Sequence, residues 1–419
     1  MLARMLAHPV CTHAFACVAA AIVAWSAAMP TALAQVPPDA RAAIASLEQA
    51  LAAQPEDGVL AFFLGLFKAR AGDADGALEA LERTVLLTDG FLPPDDVFAS
   101  LKDDPRFVRV KARFERRLPR RTDGKVVATL RDRLLVPEGI AYDPVGRAFY
   151  VGSIARRAVY RVGRDGAVVP LSRASDALDE VLGIAVDGPA RRLYAVSTSA
   201  LTDAGRASLR NAIKAYDVDT RKLVATFDVP GARQLNDVAV APGGVLYVSD
   251  SAGGGVWRID TSSGAVSAFV ALDTARSANG IAVAPGGEAV YVAAGRRPLH
   301  VDARTGAVTP LALPPRENAA AIDGLYWHDG ALIGIQNLTT PARVVRLVLA
   351  ADGKSVTAVE TLQSHHQPAF VEPTTGAVAP DGFHVLARTY VTRYGANGRI
   401  DRPQSLRAPL ILRVPLTSR

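Results

Sequence analysis

Residues 235–251 read LNDVAVAPGGVLYVSDS, and residues 278–294 read ANGIAVAPGGEAVYVAA. Each is a short β-rich run, a turn and a second run, and four more stretches share the plan. They are PEGIAYDPVGRAFYVGS (137–153), VLGIAVDGPARRLYAVS (181–197), IDGLYWHDGALIGIQN (322–337) and TTGAVAPDGFHVLART (374–389). Alignment of the six creates one column: Glu138, Leu182, Asn236, Asn279, Asp323 and Thr375. Its members are 44, 54, 43, 44 and 52 residues apart. This is the period of four-stranded propeller blades. The expected fold is therefore mainly β, a six-bladed β-propeller occupying residues 124–419.

The ring should close through its ends. The last copy has room for three strands, near 376–378, 384–389 and 410–416. Residues 125–130, just before the first copy, should supply the missing outer strand and leave no open edge.

Strands alternate in direction, so the loop entering a blade lies on the same end as the loop between its second and third strands. The long connections, 173–180, 199–211, 314–321, 363–373 and 391–408, all belong to this set. The opposite turns are short, such as APGG, HDG, TSSG and RTG. Long loops on a rigid scaffold are where function tends to sit. The column precedes the inner strands and faces that same end.

Four of the six column residues bear hard oxygen donors. Asparagine and aspartate also favour turns, which is the bland reading of such positions. Against it, the chain has only six asparagines, and two occupy this column in adjacent blades. Two carboxylates and two amides, Glu138, Asn236, Asn279 and Asp323, without Cys or His, suit calcium, with magnesium or manganese as alternatives.

The E-G, N-D, N-G and D-G motifs, at Glu138, Asn236, Asn279 and Asp323, resemble those of the gluconolactonase family, which includes senescence marker protein and luciferin-regenerating enzyme. The resemblance spans residues 125–416. It implies a calcium-dependent six-bladed propeller hydrolase acting on a lactone or ester, with the four residues on one metal and Asp323 also the general base. The family's Arg two residues before the N-D asparagine is Gln234 here, with Arg233 one place off. Gln234, Thr375, His365 and His366 are the candidate substrate-rim residues. The alternative reading is a non-catalytic exported propeller that binds a ligand or protein.

Ahead of the propeller, residues 35–120 read as helices. DARAAIASLEQALAAQPEDG (39–58) and AFFLGLFKARAGDADGALEALERTVLLTD (61–89) carry apolar residues at helical spacing. Leu64-Gly65, Ala77, Leu81 and Thr84 fit a tetratricopeptide-like pattern; a helical cap or spacer is the favoured reading of so short an array, and a surface for a protein partner is the alternative.

Residues 1–34 read as a signal peptide: Arg4, an apolar run over 14–25 and Ala32-Leu33-Ala34 before the expected cleavage. The expected location is secreted or periplasmic, with no membrane span after cleavage. Both cysteines, Cys11 and Cys17, fall inside that segment, so the mature chain would have no disulfide or thiolate chemistry. The net charge of +6 is spread over 419 residues without a basic block, and no nucleic-acid partner is expected.

Overall fold

The structure is a computed structural model, described here for residues 38–163, 165–203, 209–272, 277–337 and 340–416. The expected signal segment lies outside these residues. Six four-stranded antiparallel sheets form the propeller. Five are consecutive: β2–β5 (137–170), β6–β9 (180–228), β10–β13 (235–271), β14–β17 (278–310) and β18–β21 (322–364). The sixth combines β22 (Gly376–Ala379), β23 (Gly382–Arg388) and β24 (Leu410–Val414) with β1 (Lys125–Thr129) as its outer strand. Lys125 pairs with Arg413 and Thr129 with Leu410, so the N-terminal strand closes the ring as the sequence leads one to expect.

Each junction between neighbouring sheets holds its own apolar cluster. Tyr150 and Val159 meet Ile184 and Tyr216 between the first and second sheets. Ile333 and Val344 meet Phe383 and Leu412 between the fifth and sixth. Leu130 and Ile411 meet Leu135 and Val151 where the ring closes. The core is thus a cycle of inter-sheet wedges around an axis. What faces the axis itself is left free of the duty of packing.

Among the described residues, four α-helices precede the propeller: α1 (Pro38–Ala53), α2 (Gly58–Arg70), α3 (Ala74–Leu87) and α4 (Pro105–Glu115). Asp57, Asp73 and Asp104 stand at the N-caps of the last three and accept backbone N–H groups there. Pro105 opens α4, where its missing N–H costs nothing. The helices bury two apolar clusters of their own, one around Leu47 and Phe63 and another around Phe62, Phe91 and Phe107.

This helical region docks on the loop-rich end of the propeller. Asp57 pairs with Arg296, in the loop between the second and third strands of the fourth sheet. Asp89 pairs with Arg316 at 2.9 Å, and its backbone N–H donates to the Arg316 carbonyl, also at 2.9 Å. Leu92 N–H donates to Thr340 O, and the Thr340 hydroxyl donates to Leu92 O, both at 2.7 Å. Arg316 and Thr340 sit in the loop entering the fifth sheet and in that sheet's central loop. Helices therefore flank the axis on the side of the fourth and fifth sheets, at the end the column faces.

Asp57 does two jobs: Oδ1 accepts from Val59 and Leu60 N–H at 3.0 Å each, while Oδ2 meets Arg296. Asp57→Ala should cost about 1–2 kcal/mol, and Asp57→Ser should recover the capping share but not the ion pair. Urea denaturation of the two variants beside the parent chain checks this ordering.

Candidate metal centre

In five of the six sheets, the pairing slips where the inner strand begins. The register shifts between Pro137 and Ile140, Val181 and Ile184, Leu235 and Val238, Ala278 and Ile281, and Ile322 and Leu325. The column residue and its successor lie inside every one of these irregularities, so neither is held by the ladder. In five blades the successor is glycine: Gly139, Gly183, Gly280, Gly324 and Gly376. The reason is space. A Cβ on Gly139 would collide with the Leu182 carbonyl, and one on Gly280 with the Asp323 carbonyl. A Cβ on Gly324 would strike the Tyr326 hydroxyl.

The third blade breaks the rule with Asp237, which sequence reasoning passed over. Its carboxylate fills the room left by Gly183, where a Cβ would collide with Asp237 Oδ1 and Cα. Asp237 Oδ1 accepts from Val238 N–H at 2.9 Å and Oδ2 from Ile281 N–H at 3.4 Å. The exception was visible in the N-D dipeptide; what hid it was strand alternation, which assigns consecutive residues to opposite faces.

Glu138, Asn236 and Asp323 are buried, and Asn279 is partly so. Asn236 Nδ2 donates to Ser251 Oγ at 2.8 Å, and that hydroxyl donates to Ala278 O at 2.6 Å. The Asn279 amide hydrogen-bonds Asp323. Asn337, in the loop after the second strand of the fifth sheet, donates from Nδ2 to Asp323 Oδ2 and to Pro373 O. Glu138 Oε2 is buried without any hydrogen-bond partner.

The electrostatics are one-sided. Burial first, then the nearby charges of Asp323 and Asp237, push the Glu138 carboxyl well above the usual carboxylate range. Burial raises Asp237 to about 7, against opposing backbone hydrogen bonds from Val238 and Ile281. Asp323 is raised to about 6, again by burial, with hydrogen bonds from Asn337 and Asn279 opposing and the charge of Glu372 adding. Among the described residues, no lysine, arginine or histidine is among the groups that shift these three. Tyr326 stands beside them, its hydroxyl accepting from Gly376 N–H at 2.8 Å, and burial holds the phenol in its neutral form.

An orphaned carboxylate oxygen, three buried acids without a basic partner among the described residues, and asparagines that each give an N–H to the protein fit a hard divalent cation. No three His, Cys, Asp or Glu side chains converge as a metal cluster among the described residues. Any ion here must therefore draw on the amide oxygens of Asn236 and Asn279 beside Glu138 and Asp323.

The other candidates fall elsewhere. Leu182 is buried in an apolar cluster. The Thr375 hydroxyl donates to the Glu138 carbonyl, joined at 3.4 Å by Thr374, so the sixth-blade column member clasps the last sheet to the first. Gln234 is held through its backbone N–H by Asp250 Oδ1 at 2.8 Å. His365 and His366 follow the outermost strand of the fifth sheet. His366 Nδ1 lies 2.9 Å from Ser364 Oγ, which in turn bonds Arg121 O at 2.9 Å. No described contact ties either histidine to the column.

No protein-family model matches the sequence, and no curated protein matches it. Among solved structures, the chain is 17% identical to a Thermus thermophilus protein provisionally assigned as an oxidoreductase (glucose dehydrogenase), covering 70% of this chain and 99% of that one with a TM-score of 0.47. It is 18% identical to a Xanthomonas campestris gluconolactonase, covering 71% and 91% with a TM-score of 0.45. It is 12% identical to virginiamycin B lyase of Staphylococcus aureus, covering 64% and 83% with a TM-score of 0.47. The named activities differ, and at this similarity none of them transfers to this chain.

Burial shifts Glu138, Asp237 and Asp323 toward their protonated forms in the folded chain. The stability they contribute is complete below about pH 4, the unfolded carboxyl range, and is lost as pH rises through their raised folded values. A bound cation would reverse that loss by favouring the ionised forms. Millimolar calcium should therefore raise the melting temperature more at pH 7.5 than at pH 5. Thermal melts with calcium or chelator at both values check it; an equal shift at both would contradict the coupling.

Proposed function

We propose that the chain is a divalent-metal-dependent propeller hydrolase, calcium being the best-suited ion, that acts on a lactone or related ester at the loop-rich end of the axis. The observation that carries the reading is the buried, partnerless Glu138 Oε2 amid carboxyls without a basic counterpart. Glu138, Asn236, Asn279 and Asp323 would hold the ion. Once bound, such an ion polarises a carbonyl and favours a bound water's deprotonated form.

The chain's own residues supply the rest. Asp323, raised only to about 6, is mostly ionised at neutral pH and can accept a proton from water. Asn337 holds its Oδ2, and the Asn279 amide bonds the same carboxylate, so the base is fixed in place. Asp237 and the neutral Tyr326 phenol are buried near Glu138 and Asp323 and add polarity there. Gln234, where the lactonase-like pattern has Arg, removes a fixed positive charge from the rim, so the substrate need not be a sugar acid.

A second reading has its own support. The helical region, with its tetratricopeptide-like spacing, engages loops of the fourth and fifth sheets at the working end. A non-catalytic propeller presenting that end to a partner would use the same contacts. The expected exported location fits either reading.

Assay of the purified chain against a lactone and aryl-ester panel separates the two. The hydrolase reading predicts turnover that chelator removes and calcium restores. It also predicts that Asp323→Ala lowers kcat/KM by at least about 100-fold, as for loss of a general base. Absence of metal-dependent turnover on the whole panel would leave the binding reading.

A further inference from the structure

Asn337 lies fourteen residues beyond Asp323, outside all six column positions and outside every strand. Its side-chain nitrogen donates to two acceptors, Asp323 Oδ2 and Pro373 O, the latter at 2.7 Å. This orientation is chemically required. A carboxylate and a carbonyl both accept only, so the atom between them must be the NH2 group rather than the amide oxygen. The choice has a cost: Asn337 Oδ1 is left buried with no partner. A side chain that gives up a buried acceptor to keep two donors in place is oriented by what those donors hold.

What they hold is the carboxylate of the fifth blade and the chain entering the sixth. Pro373 precedes Thr374 and Thr375, whose hydroxyls reach the Glu138 carbonyl. The links run from Asp323 through Asn337 and the segment 373–375 to Glu138, the two acidic members of the column. We infer that Asn337 is the positioning residue of the cation site. It fixes the Asp323 carboxylate through Oδ2, beside the Asn279 amide that bonds the same group, and so sets the fifth-blade carboxylate in register with the first-blade one. This rests on the reading of the column as a divalent-cation site.

Two substitutions test it in the full chain. Asn337→Leu keeps the volume without donors, and Asn337→Asp keeps the shape but replaces the donor by an acceptor. Calcium affinity is measured by calorimetry, and the melting temperature is measured in chelator. The expected result is calcium binding at least tenfold weaker than the parent's in both variants, with metal-free melting temperatures within a few degrees of the parent. That split is what a merely structural residue would not give, since it would lower the metal-free melting temperature first. Affinity within twofold of the parent in either folded variant overturns the assignment. So does a loss of affinity that only follows a loss of metal-free stability. If the parent chain binds no divalent ion, the cation reading itself fails and the role assigned to Asn337 falls with it; affinity in the parent alone distinguishes the two failures.

Discussion

Burial of carboxyl groups at the axis without a basic partner is the constraint on which the rest of the site depends. Moving an ionised carboxylate out of water costs several kcal/mol unless charge or hydrogen bonds offset it. At Glu138 no described residue gives Oε2 a hydrogen bond. Asp237 and Asp323 are partly relieved by backbone N–H groups and amides. A propeller can sustain such a centre because its stability is generated elsewhere, in the apolar clusters between sheets. The ring supplies rigidity, and the axis carries an electrostatic cost that a bound cation would offset.

The hydrogen bonds around the centre share one logic. Asn236 gives its N–H to Ser251, Asn279 hydrogen-bonds Asp323, and Asn337 gives both donors to Asp323 and Pro373. Donors are consumed inside the protein and oxygen is left over. Glycines beside the column let neighbouring inner strands approach until carbonyls and side chains fill the space a methyl would need. Asp237 is the one place where that space holds a charge instead.

Much of this was legible in the sequence, and the part that was not has a physical reason. The 43–54-residue spacing reported six blades because each blade must bury the same alternating faces, and strand 125–129 was identifiable as the missing outer strand by counting. Glu138, Asn236 and Asp323 could be picked out because they share one structural position. Asp237 escaped because a backbone irregularity puts two successive residues at the centre, where simple alternation allows one. Asn337 escaped because it belongs to a different loop, and Thr375 proved to be a clasp because a hydroxyl in the column can face a neighbour's backbone as readily as the axis. The docking of the helices rests on pairs such as Asp57 with Arg296, 239 residues apart, which no local pattern encodes.

A crystal structure of the chain grown with calcium would decide whether the axis is a cation site. One strong density peak is expected on the propeller axis, with oxygens of Glu138, Asn236, Asn279 and Asp323 at about 2.3–2.6 Å from it. An axis without an ion under those conditions, with Glu138 Oε2 satisfied instead by a protein donor or an ordered water, would contradict it.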